Sequence, residues 1–254
     1  MDALIGFGIA LLIGLTGVGG GTLTVPVLVL FRGVPVPVAV GTALTFSTLV
    51  KLPAALVYLR HGQVDGRVLR RLLLGGVPGV ALGALLVGRL HDAGLRALMA
   101  AVVGLTIAAT ALLGLIGMWR RGPDAAGRHD RSARLPLFAL PIGLEVGFSS
   151  AGAGALGTLL LLWSTTLAPA QVVGTDLLFG LAVSAVGGAL HLGLGDVGGR
   201  LLLGLIAGGI PGALCGAWLA TRVPGRALRV GLLLWLVWLG AQLALRGLSE
   251  LRAA

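Results

Sequence analysis

Two halves of this chain superimpose under a single shift of 133 residues. Gly41-Thr42 falls on Gly174-Thr175, and Phe46 falls on Phe179. The run Gly75-Gly76-Val77-Pro78-Gly79 falls on Gly208-Gly209-Ile210-Pro211-Gly212. Arg67, Arg89 and Arg96 fall on Arg200, Arg222 and Arg229 without a gap. Glycine and leucine matches come cheaply in a chain rich in both. Matches of Pro, Phe and Arg at one offset do not. The chain reads as a tandem duplication, and duplicated helical membrane proteins are mostly carriers with the solute site where the copies meet.

Composition decides what each copy is made of. The residues are 57% hydrophobic and only 11% charged, where a soluble domain carries about 25% charged. Mean hydropathy is +1.02. Long, nearly uncharged runs recur along the whole length, which predicts an all-α, polytopic helical membrane protein. The alternating ten-residue segments of a transmembrane barrel are absent. The net charge of +10 comes from 18 Arg and one Lys against nine acids. Most arginines lie between apolar runs, so they read as topology anchors and not as a nucleic-acid surface. Cys215 is the only cysteine. It has no intrachain disulfide partner and reads as a packing residue. Met1-Asp2 runs straight into apolar sequence, without the basic n-region of a cleaved signal.

About eight hydrophobic segments can be drawn, near 3–31, 39–59, 68–88, 97–119, 136–163, 171–192, 201–220 and 228–245. They group as one membrane repeat over 1–119, an Arg-rich linker over 120–135 and a second repeat over 136–254. The linker holds Arg120, Arg121, Arg128, Arg131 and Arg134 and is expected in the cytoplasm of a cell-inner-membrane protein. Trp119, Trp163 and Trp218 fall near segment ends, as interfacial anchors do.

The first and fifth segments differ from the rest. An unbroken helix over 3–31 would be about 43 Å long, against a hydrocarbon core of about 30 Å. Each is also interrupted, by Gly17-Val18-Gly19-Gly20-Gly21 and by Ser149-Ser150-Ala151-Gly152-Ala153-Gly154. Glycine costs about 1 kcal/mol relative to Ala inside a helix, so these tracts favour unwound backbone. Such backbone at membrane depth must be covered by protein or line a polar cavity. Paired breaks in corresponding segments point to a binding site. The alternative is close helix packing through small residues.

Topology follows from whether those two segments cross or dip and return. Either way the arginines divide 12 to 6 between the two faces. The loop near 60–71 carries four arginines, whereas its counterpart carries Arg200 alone. That asymmetry favours inverted repeats, whose matching loops face opposite compartments.

The order Gly17-Val18-Gly19-Gly20-Gly21, Pro26, Val40-Gly41-Thr42, with its echo in the second half, resembles the sulfite exporter TauE/SafE family over nearly the whole chain. The resemblance implies about eight hydrophobic segments in two halves and movement of sulfur-containing anions such as sulfite, sulfonates or sulfoacetate. The second copy departs from the pattern. Gly152-Ala153-Gly154 stands where the first has Gly19-Gly20-Gly21, and Leu159 where it has Pro26.

An unwound stretch exposes N–H groups at the start of the next half-helix, where the helix dipole also favours negative charge. Those half-helices are expected to begin near Thr22 and Ala155. The candidate anion site is Gly17, Gly19, Gly20, Gly21 and Thr22 facing Ser149, Ser150, Gly152 and Gly154. The hydroxyls of Thr22, Ser149 and Ser150 could donate to the anion or bond back to their own helices. Lys51, the only lysine, sits inside the second segment opposite Ser184 of the other copy. It could attract the anion or snorkel toward the interface. Glu145 and Asp176 occur in one copy only, opposite Leu12 and Ala43, and are the candidates for proton coupling. For Asp176 the competing reading is an acid stabilising a helix start near the interface. His191, opposite Tyr58, is expected at the interface.

No catalytic set, nucleotide motif or metal-ligand cluster is visible, so no cofactor and no metal are expected and any coupling must use a gradient. The expected partners are a small anionic solute and the lipid bilayer, with no nucleic acid; a homo-oligomer stays open. The reading is a non-enzymatic secondary carrier working by alternating access. A passive anion channel, a membrane-embedded enzyme and a non-transporting scaffold are the alternatives.

Overall fold

In the computed structural model, residues 1–16, 20–88, 93–119, 132–151, 154–220 and 225–253 are described. Gly17, Gly19 and Gly152 of the candidate site, and most of the Arg-rich linker, lie outside them. The elements are α1 (Asp2–Thr16), α2 (Gly20–Arg32), α3 (Val36–Arg60), α4 (Gly66–Gly88), α5 (Ala93–Trp119), a 3-10 turn (Ser132–Arg134), α6 (Leu135–Ser149), α7 (Ala155–Ser164), α8 (Pro169–Gly193), α9 (Gly199–Ala220) and α10 (Gly225–Ala253). No strand occurs among the described residues.

Six of these helices, α3, α4, α5, α8, α9 and α10, are long and apolar enough to cross a membrane. Of the roughly eight hydrophobic segments drawn from the sequence, six are thus single helices of spanning length among the described residues. The other two are each split, and their halves are short. At 1.5 Å per residue, the 15 residues of α1 and the 13 of α2 measure about 22 and 20 Å, less than a bilayer core. The first pair folds back on itself: Asp2 at the start of α1 and Arg32 at the end of α2 form an ion pair at 2.6 Å. The second pair returns too. Arg71 donates to the Ser132 hydroxyl just before α6, and the Asp65 N–H donates to Thr175 Oγ1 in the second turn of α8, the helix after α7, so both flanks meet the same end of α4.

Glycine positions explain how these arms are held. A Cβ on Gly75, Gly79 or Gly83 of α4 would collide with the carbonyl oxygens of Pro136, Leu140 and Leu144 of α6. A Cβ on Gly208, Gly212 or Gly216 of α9 would collide with those of Ala3, Phe7 and Leu11 of α1. Small residues four apart let two backbones approach within reach of dispersion and Cα–H contacts, the main association force where lipid is as apolar as leucine. The first arm of each hairpin thus docks on the other half of the chain: α1 runs parallel to α9, and α6 parallel to α4.

Corresponding long helices pair antiparallel. On α3 and α8, Gly41 meets His191, Thr45 meets Gly188 and Tyr58 meets Gly174. On α5 and α10, Gly104 meets Ala244, and Ala101 meets Gly247. The conserved-looking pairs of the duplication have matched roles. Phe46 fills the space above Gly209, and Phe179 the space above Gly76. The Asp196 carbonyl sits on Gly41 and the Gln63 carbonyl on Gly174. The Gly198 N–H donates to Thr42 Oγ1 at 3.1 Å, just as the Asp65 N–H donates to Thr175 Oγ1 at 3.0 Å. Each Gly-Thr pair is a socket for the loop that follows its counterpart helix.

Leu56, Leu82, Leu105, Leu203 and Trp238 are exposed, and an outer surface so apolar is matched to lipid. Cys215 faces outward on α9 instead of packing in the core, because its neighbours at Gly212 and Gly216 take the interior face of that helix.

Gly79→Ala or Gly212→Ala is expected to cost about 1–3 kcal/mol by overpacking the arm seams. Gly8→Ala meets nothing within 4 Å and should cost nothing. Thermal unfolding in detergent, read as a fall in Tm for the first two and none for the third, checks this.

Candidate functional site

The two breaks touch. A Cβ on Gly21 would fall on the carbonyl and hydroxyl oxygens of Ser150. Gly20, one residue earlier, lies against Ser47, whose Oγ is 2.9 Å from where a Gly20 Cβ would stand. Ser47 is near the middle of α3, so the tip of the first hairpin reaches about halfway along a spanning helix.

Local sequence makes the second break. α6 ends at Ser149, and Ser150 takes the left-handed conformation, φ 60°, the only non-glycine residue among those described to do so. Its N–H closes on the Val146 carbonyl at 2.8 Å. The Ser149 hydroxyl donates to the Glu145 carbonyl at 3.0 Å and accepts from the Ala151 N–H at 3.1 Å. Gly154 then adopts φ 110°, which a side chain would resist, and α7 starts at Ala155 as expected. In the first hairpin α2 starts at Gly20, two residues before the expected Thr22. Gly20, Gly21 and Thr22 therefore lie in its first described turn.

The candidate hydroxyls separate into two kinds. Ser149 is spent on its own helix. Thr24, back-bonded to Gly20 O at 2.7 Å, is spent likewise. Ser150 Oγ and Ser47 Oγ are buried and have no hydrogen-bond partner. Ser47 was invisible to the duplication argument because its counterpart is Gly180. The signal that could have found it is its spacing: Ser47 and Lys51 are four apart on α3, hence on one face.

Lys51 is 8% exposed, so it does not snorkel to the surface. The charge that reaches it is Asp176, on the antiparallel α8. Asp176 is itself 4% exposed, and its Oδ2 accepts from Thr158 Oγ1 of α7 at 2.6 Å. The helix-start reading of Asp176 is therefore corrected: it is a buried acid linking α7 to α8, with Gly157 making room for it. Glu145 is largely buried, and its Oε1 has no hydrogen-bond partner. His191 was expected at the interface and is instead wholly buried, because α3 closes over it at Gly41.

The geometry brings Gly20, Gly21, Ser47 and Ser150 together, with Lys51 one turn beyond Ser47. Asp176 is the acid whose charge acts on Lys51. Chemically this is a cluster of buried hydroxyls and one buried cation among apolar helices. Among the described residues no group of His, Cys, Asp and Glu is placed to hold a metal.

Comparison with known proteins places the chain. The family model described as sulfite exporter TauE/SafE matches residues 3–243. The chain is similar to the probable membrane transporter protein YjnA of Bacillus subtilis, 27% identical over 240 residues, covering 89% of this chain and 92% of that one. It is similar to YtnM of the same organism, 28% identical over 227 residues, covering 87% and 74%. A probable membrane transporter protein of Xylella fastidiosa is 33% identical over 106 residues, 42% of this chain and 40% of that one. No solved structure matches. A helical membrane scaffold, two apposed interrupted segments and a family match over nearly the full length agree: this chain belongs to the sulfite exporter TauE/SafE family and is a membrane transporter.

Proposed function

We propose that the protein is a secondary carrier for a small sulfur oxyanion or organosulfonate, built as two inverted repeats that rock around a shared site. The observation that carries the reading is the meeting of the two breaks, Gly21 on Ser150, with buried unpartnered hydroxyls on either side. Unpartnered buried donors are costly, at about 1–3 kcal/mol each, unless a ligand meets them. An anion at the first turn of α2 would be met by backbone N–H groups, by the hydroxyls of Ser47 and Ser150, and by Lys51. Gly17, Gly19, Thr22, Gly152 and Gly154 stay in the proposed site, with Ser149 as a cap that shapes it.

Support for inverted repeats comes from the antiparallel pairing of α3 with α8 and of α5 with α10. An axis relating such pairs is perpendicular to the helices, hence in the membrane plane. With hairpins that dip and return, 12 arginines gather at the pole holding the loops 60–71, 120–134 and 222–229, and six at the other. The positive-inside rule then puts that pole in the cytoplasm and both chain ends outside. Asp176, engaged by Thr158, serves as the counter-charge of Lys51. Glu145, with an oxygen left over, is the better placed of the two acids to carry a proton with the anion.

Counterflow in proteoliposomes, with sulfite, sulfate, thiosulfate, taurine and sulfoacetate, tests the carrier and selects the anion. Saturable exchange is expected for at least one of them. Flux that never saturates would convert the reading to a channel. Gly20→Leu pushes a side chain into Ser47 and is expected to abolish exchange while membrane insertion stays normal. Lys51→Met should lower affinity by about tenfold or more, and Ser47→Ala by about fivefold, as lost charged and neutral hydrogen bonds do. Both are read as KM. Glu145→Gln should keep counterflow but lose accumulation driven by a proton gradient. Retention of both by this variant would remove Glu145 from coupling.

A further inference from the structure

Outside the anion site, one buried ionisable group stands between two acceptors. His191, in the last turn of α8, is 0% exposed. Its Nε2 lies 3.2 Å from the Gly147 carbonyl of α6, three residues before the break at Ser150. Its Nδ1 faces Asp196 Oδ2 at 3.5 Å and makes no hydrogen bond. A neutral imidazole has one N–H. If that N–H serves Gly147, a lone pair points at the carboxylate, which is repulsive. If it serves Asp196, the Gly147 carbonyl is lost. Only the doubly protonated ring satisfies both partners.

Three pieces of the fold meet at this ring: the arm of the second hairpin, the end of α8 and the loop leading to α9. The loop is already pinned here. The Asp196 N–H closes on the His191 carbonyl at 2.9 Å, the Asp196 carbonyl sits on Gly41 of α3, and the Gly198 N–H bonds Thr42. The other pole of the molecule carries the same construction. There the Gln63 N–H closes on the Tyr58 carbonyl at 3.0 Å, the Gln63 carbonyl sits on Gly174, and the Asp65 N–H bonds Thr175. The backbone match is complete, but the ionisable pair His191 and Asp196 is replaced by Tyr58 and Gln63. Tyr and Gln carry no charge between pH 5 and 8, the range in which histidine changes charge.

We propose that His191 and Asp196 form a proton-binding latch at one pole, the one holding both chain ends, which when protonated ties the second hairpin to the α8–α9 loop. Deprotonation releases the Gly147 arm and lets that hairpin move. The charged groups around it are few. α6 offers the Gly147 carbonyl to the ring, with Glu145 two residues earlier. α3 offers the uncharged Gly41, with Lys51 ten residues further on. The loop offers Asp196, and Arg200 begins the next helix. α4 contributes Val80 against Gly147. The direct electrostatic partner of the ring is thus Asp196. The latch concerns the movement of a hairpin and holds whichever anion is carried.

The test uses the full-length wild-type protein in nanodiscs. Amide hydrogen exchange of residues 147–151 and 194–198, corrected for the intrinsic pH effect, is compared at pH 5.5 and 8. Protection about tenfold greater at pH 5.5 is expected, within the range of coupling energies between linked sites. Equal protection at the two values would overturn the proposal. The double substitution His191→Tyr with Asp196→Gln copies the other pole and is expected to make exchange independent of pH. If that variant does not fold, His191→Gln keeps one donor and the same loss of pH response is expected. A wild-type pH response surviving in a folded variant would also overturn the proposal. Failure of anion counterflow, with the pH-dependent protection intact, would instead count against the carrier reading alone.

Discussion

Backbone that leaves the helix inside a bilayer has no water to bond, and each orphaned N–H or carbonyl costs several kcal/mol there. This protein does so at Ser150, and that turn is covered by the start of α2. Ser150 folds its own N–H back onto Val146, Ser149 caps Ala151, and the remaining surface of the turn is closed by the first turn of α2 at Gly21. Only glycine at position 21 allows that approach. The hairpins are consequently stable as a pair. The crossing of arms, with α1 on α9 and α6 on α4, follows from the same need, because it brings both tips to the centre from opposite sides.

The scaffold is symmetric and the chemistry is not. Gly41 and Gly174, Thr42 and Thr175, Phe46 and Phe179, and the glycine ladders of α4 and α9 have duplicate contacts. Among the described residues the ionisable groups of the interior lack a duplicate: Lys51 stands opposite Ser184, Asp176 opposite Ala43, Glu145 opposite Leu12, and His191 opposite Tyr58. Packing of this kind is a property of backbone distance, and both copies must satisfy it. An interior charge is expensive and useful once. In the proposed carrier, a symmetric site with two lysines would hold an anion with two charges and release it slowly, whereas one lysine near one acid would leave a weaker net pull.

What could be read from the amino acids alone divides along the same line. Glycine, proline and the run lengths carry backbone information, so the end of α6 at Ser149 and the start of α7 at Ala155 were legible. So was the approach of the first glycine tract to Ser150, at Gly21. The arms docking on opposite halves were not legible, because the glycine ladder of α4 names no partner; α6 supplies only carbonyls, which every residue has. Depth was hard to read for the same reason. His191 and Asp176 sit near helix ends in the chain, and nothing local says that α3 and α7 cover them. Ser47 was hidden by its match to Gly180. Cys215 was misread because one apolar face of α9 packs and the other faces lipid, and a uniformly apolar sequence does not distinguish them.

The crossing of arms has a mechanical consequence for a carrier of the proposed kind. α1 is held by α9, in the other half, while α2 packs on α3 in its own half. α6 is held by α4 across the seam, while α7 packs on α8. If the halves rock against each other, the two arms of one hairpin must follow different bodies. The arm seams are glycine-to-backbone contacts without side chains to repack, and close-packed contacts of this sort shift between discrete arrangements more readily than they stretch. The displacement would then fall on the tips, where Ser150 leaves the helix. In the proposed carrier the turn at Ser150 would thus both border the anion and move with the halves, which would tie binding to opening.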